Sequence, residues 1–383
     1  MLRLCTALVT LTVSLAAPGV AIAAMTRVTP LNGAPNVVGS TILWQAGGQG
    51  TTGGTGAFVW AAPANGTAPA SVLFQGPPVP NEGVMGAGPA RATAGQQPAG
   101  LAVSPAAVFF LRQVGVFKTQ QAGVNSPNTY TDFFPTSTQA YVGPLAGPLA
   151  PVTLPPDPFD PCPSGTQFEV PLAMSGATLI TSAGCGPARL LARTVGPGGV
   201  SAPRLLAGNG HSIGAIRVAG RYLAGVQTVP RSIQKRIVVL DITTGDVVNT
   251  IPASPRRTFY IGLDVGTDGS VVATRQSQSR TPVTRIVRFP AGSSRARLLP
   301  SSLGNIVSPP RISGSRVVFL RGATGRRTEL VSTTRTGRQV RVIGTMTDAA
   351  DPGQGGFDAG ESWAAVNGTV GTRSGIWTAP LGG

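Results

Sequence analysis

The sequence predicts an all-β fold: a seven-bladed β-propeller of four-stranded antiparallel blades, closed by the N-terminal strand joining the last blade. Three observations predict it. First, one unit recurs along the chain, a short strand, a small-residue turn and an apolar run. It reads NVVGSTILW, AVSPAAVFFL, AMSGATLIT, RVAGRYLAG, DVGTDGSVVA, RISGSRVVFL and FDAGESWAAV. With Gly39, Ser104, Ser175, Ala219, Gly266, Ser313 and Ala359 as equivalent positions, the spacings are 65, 71, 44, 47, 47 and 46. Repeats of about 40–50 residues with four strands each are a propeller signature. Second, Gly and Pro make 87 of 383 residues, which suits many turns between short strands. Third, no long stretch free of Gly and Pro places apolar residues at helical spacing. Six or eight blades are the alternative counts.

The first 23 residues read as a cleaved signal peptide. Arg3 precedes the apolar run Leu4–Leu15, and Ala21-Ile22-Ala23 is an A-x-A cleavage site. Residues 24–383 then form a single exported propeller domain, outside the cytoplasm, with no transmembrane segment and expected to be a monomer. Thr26–Leu31 follows the cleavage site and has no repeat of its own. The first repeat continues to a fourth strand, Ala70–Phe74, whereas the last stops at Gly383. The N-terminal segment is therefore expected to complete blade seven.

Inside the repeats, strands are expected at Ile213–Val218, Arg221–Val229, Lys235–Ile242 and Asp246–Ile251 in blade four. Blade five gives Tyr260–Val265, Ser270–Gln276, Thr284–Phe289 and Ala296–Leu299. Blade six gives Val307–Ile312, Arg316–Arg321, Thr328–Thr333 and Gln339–Ile343. Trp44 and Trp60 of the first repeat match Trp363 and Trp377 of the last.

Two motifs carry a resemblance: the turn Thr267-Asp268-Gly269 followed by an apolar strand, and a strand ending Asp241-Ile-Thr-Thr-Gly245. Together they resemble the TolB-type and WD-repeat-like β-propellers of bacterial secreted proteins. The resemblance covers nearly the whole mature chain by period, although only one repeat keeps Asp-Gly at its turn. It implies a propeller fold and a tendency to bind proteins or glycans. It carries over no catalytic residue.

In a propeller the connections alternate between two faces. The long connections Ala46–Thr55, Gly76–Ala99, Val116–Thr136 and Pro155–Gly165 fall on one face, over blades one to three. Long loops on a rigid scaffold usually carry binding, so ligand contacts are expected there. Within Val116–Thr136, Phe117, Lys118, Asn128, Tyr130, Asp132 and Phe133 offer rings, amides and charge to a sugar or peptide, or else pin the loop to the scaffold. Cys162 and Cys185 are expected to form a disulfide on this face, stabilising by roughly 3 kcal/mol. RISGSRVVFL lies on the opposite, short-turn face and is read as scaffold.

Charge is uneven. Residues 201–345 carry 21 Arg and one Lys against five acids. This side of the ring could attract an anionic polymer, but its arginines alternate with apolar residues and are read as solvated outer strand positions. Sequence-specific nucleic-acid binding is not expected. Asp348, Asp351, Asp358 and Glu361 match no calcium loop and are read as partners of the arginine-rich blade six. Gly48-x-Gly50-x-x-Gly53 precedes a strand, which excludes a dinucleotide turn. His211 stands without a nucleophile motif, and Asp157 and Asp160 read as isolated. No catalytic constellation, metal site or cofactor follows. The reading is a non-catalytic binding or scaffold propeller at the cell envelope, with a protein or glycan partner. The alternatives are a propeller-fold glycan lyase or hydrolase, or electrostatic attachment to anionic wall polymers through blades four to six.

Overall fold

The computed structural model describes residues 25–47, 57–77, 92–121, 129–159, 169–183, 189–207, 213–228, 235–254, 258–323, 327–350 and 356–382. Its strands assort into seven antiparallel sheets, the seven blades of a β-propeller. The innermost strands are Asn36–Val38, Ala92–Val103, Glu169–Ser175, Ile213–Ala219, Thr258–Val265, Arg311–Ser313 and Phe357–Ala359. Blade four is representative, with Tyr222–Thr228, Lys235–Asp241 and Val247–Ile251 following outward.

Blades lie face against face, so a strand away from the rim buries both its faces. That is why the sequence shows unbroken runs such as Val317–Leu320 in place of alternation. In blade five, Val271, Ala273 and Val287 pack with Val239 and Ile251 of blade four. The intervening Val272 and Ile286 pack with Val317, Phe319 and Val331 of blade six. Seven such clusters fill the seven interfaces of the ring. Each fully buried Val, Leu or Phe contributes about 2 kcal/mol.

The ring closes between the two chain ends. Thr26–Thr29 pairs antiparallel with Arg373–Pro380, Thr26 facing Thr378 and Arg27 facing Trp377. This is the expected N-terminal strand. Val28 inserts between Val37, Ile42 and Ile376, and Trp44 stacks on Trp60 at 6.3 Å.

The repeated small residue has a physical role. Ser104 Oγ donates to the carbonyl of Gly176 (2.7 Å), Ser175 Oγ to Gly220 (2.7 Å) and Ser313 Oγ to Glu361 (3.0 Å). Each hydroxyl at the repeat position thus hooks the turn of the next blade. In the turns themselves, Gly176, Gly220 and Gly314 adopt φ values of 53–56°, the left-handed region where Gly carries no Cβ penalty.

Two strand expectations change. Val307–Ile312 is broken at Pro309-Pro310 into Asn305–Ile306 and Arg311–Ser313, because proline offers no N–H to a ladder. Val116–Thr136 is a hairpin and not a loop, and 92–99 is strand and not connection. Val108–Gln121 and Thr129–Gly143 pair along their full lengths, with Ala92–Val103 alongside. The β-branched and aromatic residues on both sides favour strand, and the turn residues are confined to 122–128. Pro135 is accommodated where the register slips between Val114 and Gly115, and Thr136 Oγ1 donates to the Val114 carbonyl there (3.1 Å).

Candidate functional site

The innermost strands surround a central channel. At its short-turn end a cavity of about 240 Å³ is lined by residues of all seven blades, among them Arg217, Asp264, Arg311 and Asp358. The repeat register explains the set. In the ladder Arg217, Asp264, Arg311 and Asp358 face Ala224, Val272, Val318 and Ala365, so the four occupy one position of the repeat in blades four to seven. The charges alternate around the ring.

Each aspartate bridges two blades. Asp264 Oδ2 accepts the backbone N–H of Ile312 at 2.7 Å, and Asp358 Oδ2 accepts that of Val37 at 2.9 Å. The other Asp358 oxygen takes Arg311 Nε at 2.9 Å. Arg311 also donates to the carbonyls of Pro310 (3.2 Å) and Phe357 (3.4 Å), and its guanidinium lies 5.8 Å from the Phe357 ring centre. Asp358 is thus paired with blade six, as expected for this acid. Arg311, within the stretch read as scaffold, is a buried channel residue.

Burial raises the Asp264 carboxyl above the usual carboxylate range, against the pull of Arg311 and the Ile312 N–H. A raised folded-state value means that stability falls as pH climbs from the ordinary carboxylate value near about 4 through the raised one. Asp264→Asn keeps an acceptor for Ile312 and removes this titration. Its melting temperature relative to wild type should therefore rise between pH 4 and pH 7, by a few °C. An unvarying difference across that range would show that Asp264 does not titrate as assigned.

The second candidate site is the arm of blade two. Its strands of 14 and 15 residues compare with seven each for the second and third strands of blade four. At about 3.3 Å per residue the extra length reaches roughly 20 Å beyond the blade, on the long-connection face. Phe117 faces Phe133 in the ladder, Lys118 faces Asp132, and Gln120 faces Tyr130. Sequence reading brought these residues together as a loop; the ladder brings them together as paired strands. Asn128 lies outside the described residues, as do Cys162, Cys185, His211, Asp351, Asp160, the Gly48–Gly53 segment and the first 24 residues.

Asp157 is not isolated. It is buried, 2.9 Å from Arg189 Nη2, and accepts the N–H of Phe159 (2.9 Å), whose carbonyl takes Arg189 Nη1 (2.6 Å). This ion pair fastens the connection from blade two to blade three. Nor are all the arginines of residues 201–345 solvated: Arg338 and Arg341 are exposed, but Arg285 and Arg288 are half-buried and Arg311 is buried. Asp348 pairs with Thr369 across a two-residue strand, away from Asp358 on the innermost strand. Among the described residues no group of three or more His, Cys, Asp or Glu could hold a metal ion. No helix among them is long and apolar enough to cross a membrane.

No family model matches the chain, and no curated protein matches it. Solved structures do. The β-propeller domain of the Trilobed protease from Pyrococcus furiosus is 9% identical, with 94% of this chain and 95% of that one covered at a TM-score of 0.52. A putative TolB from Agrobacterium tumefaciens is 16% identical over 82% of this chain and 94% of that one, at 0.43. A puromycin-hydrolyzing peptidase from Mycobacterium tuberculosis is 13% identical, at 0.45; the chain covers 54% of that peptidase's length. The likeness is one of fold, a β-propeller.

Proposed function

We propose that the protein is an exported, non-catalytic binding or scaffold propeller at the cell envelope, engaging a protein or glycan through the arm of blade two. The observation that supports this reading most is the arm itself. A rigid ring of seven packed interfaces needs no such extension for its own core. The arm presents three adjoining strands beyond the ring, and an extended surface of this kind suits strand-to-chain or ring-stacking recognition.

The arm can be excised without touching the ring. Removing 115–136 and joining Val114 to its ladder partner Ser137 through Asn-Gly supplies a hairpin turn. The excised protein should melt within about 3 °C of wild type. A photo-crosslinker at position 118 or 132 of the full-length protein should label one envelope component in intact cells. The same crosslinker on the ring, at exposed Val247, should not. Equal labelling from both positions, or none from the arm, would refute the reading.

One observation favours a second reading, a propeller-fold glycan lyase or hydrolase: Asp264 and Asp358 line one cavity. One oxygen of each is, however, committed to a backbone N–H of the next blade, and the second oxygen of Asp358 to Arg311. Structural hooks of this kind leave little freedom for proton transfer, so the binding reading is preferred.

A further inference from the structure

One positive charge in the channel has no acid of its own. Arg217 follows a bulge in the innermost strand of blade four, where the pairing slips between Gly214 and Arg217. Ala215, inside the bulge, has a φ of 50°, in the left-handed region that non-glycine residues seldom occupy. Bulges are common where a strand must re-aim a side chain beside a site. Among the described residues the Arg217 guanidinium makes one hydrogen bond, from Nη1 to the carbonyl of Ile216 at 3.3 Å. Its Nε is buried and unpartnered. Among the described residues Arg217 enters no ion pair.

Its neighbours are already satisfied. Arg311 holds Asp358 and two carbonyls, and Asp264 holds the Ile312 N–H. The positive charge of Arg311, with burial second, pushes Arg217 down to about 10, more than Asp358 and Asp264 offset. The position is short of negative charge.

Arg217 also stands at the edge of a second cavity, of about 370 Å³, lined by Leu172, Ile213, Ile261, Leu263 and Pro309. A half-open chamber whose side chains are mainly aliphatic, with Ser182 and one guanidinium among them, selects a ligand by two features. The guanidinium offers paired N–H donors to a planar anion, and the chamber takes an apolar body. Asp264 and Asp358 act on the same place electrostatically, which disfavours a dianion. We propose that Arg217 and this chamber form a binding site for a monocarboxylate with a small apolar body. The carboxylate can belong to a free acid or to the end of a peptide chain. The site is separate from the arm and does not depend on it.

Calorimetric titration of the full chain tests this. Hexanoate should bind, and hexanamide and inorganic sulfate should bind at least about tenfold more weakly, the scale of one charge-assisted hydrogen bond. Arg217→Gln should weaken hexanoate by at least about tenfold, and Arg217→Lys by less. Ile261, 41% exposed, tolerates change; Ile261→Asp should also weaken hexanoate while Arg217 stays in place. Gly-Gly-Leu with a free and with an amidated C-terminus separates the two sources. Tighter binding of the free peptide than of hexanoate assigns the site to chain ends, and the reverse assigns it to free acids. The proposal is overturned if no carboxylate probe binds. It is overturned equally if sulfate outcompetes hexanoate, or if a folded Arg217→Gln or the Ile261→Asp protein binds hexanoate as wild type does.

Discussion

Glu169→Ala should destabilise the propeller by about 3–5 kcal/mol, the usual cost of removing one partner of a buried ion pair. Glu169 opens the innermost strand of blade three. Its two oxygens take Arg193 Nε and Nη2, both at 2.7 Å, and Thr181 Oγ1 donates to the same carboxylate. Arg193 Nη1 reaches the Ser201 carbonyl at 3.0 Å. The group spans three strands of one blade, and Arg193 is 1% exposed. Truncating the glutamate leaves a buried guanidinium without its carboxylate partner. The melting temperature should fall by about 4–7 °C. The double variant Glu169→Ala/Arg193→Met removes both charges and fills the space with an unbranched apolar chain, so it should recover most of the loss. A single variant melting within 2 °C of wild type would mean that Arg193 finds another partner or is not buried as described.

The ring was legible because its signal is repeated. Blade six shows how closely: Arg316–Arg321 was expected and Arg316–Gly322 is observed, while Thr284–Phe289 of blade five coincides with its expected bounds. The arm was misread for a local reason. Turn residues between 122 and 128 drew the whole of Val116–Thr136 into a loop, although Val116-Phe117-Lys118-Thr119 and Tyr130–Phe134 favour strand. The paired position of Phe117 and Phe133 depends on a register that only the ladder sets.

The channel charges could have been found. Aligning the repeats places Arg217, Asp264 and Arg311 at one position, filled in blades one to three by Val37, Ala102 and Ala173, with Asp358 one residue further on. A charged residue at an apolar repeat position is the signal; counted with the other arginines, it was lost in the net charge. The blade-three ion pairs had no such signal. Asp157 and Arg189 are 32 residues apart and Glu169 and Arg193 are 24 apart, distances set by the arrangement of one blade and not by the repeat.

The closing strand carries the largest consequence. Thr26–Thr29 is a strand of four residues, yet it supplies the outer edge of blade seven and joins the ring across its ends. Val28 is buried in the interface between blades seven and one, and Met25 packs on the core between six and seven. Thr378 Oγ1 accompanies the pairing, donating its proton to the carbonyl of Ala64 at 2.5 Å and lying 3.4 Å from that of Thr26. The fit is close: a Cβ at Gly375 would come within 2.0 Å of the Thr29 carbonyl oxygen. Without the strand, Arg373–Pro380 becomes an open edge, with unpaired backbone groups and exposed Ile376. Burial of Val28 contributes about 2 kcal/mol, and the half-buried Met25 and the lost ladder add to it.

Removal of residues 24–32 tests the closed ring most directly, by thermal melting with and without the excised segment added back as a free peptide. The melting temperature should fall by at least about 5 °C, and excess peptide should restore part of the loss by reoccupying the edge. An unchanged melting curve after the deletion would contradict a ring closed by its N-terminal strand.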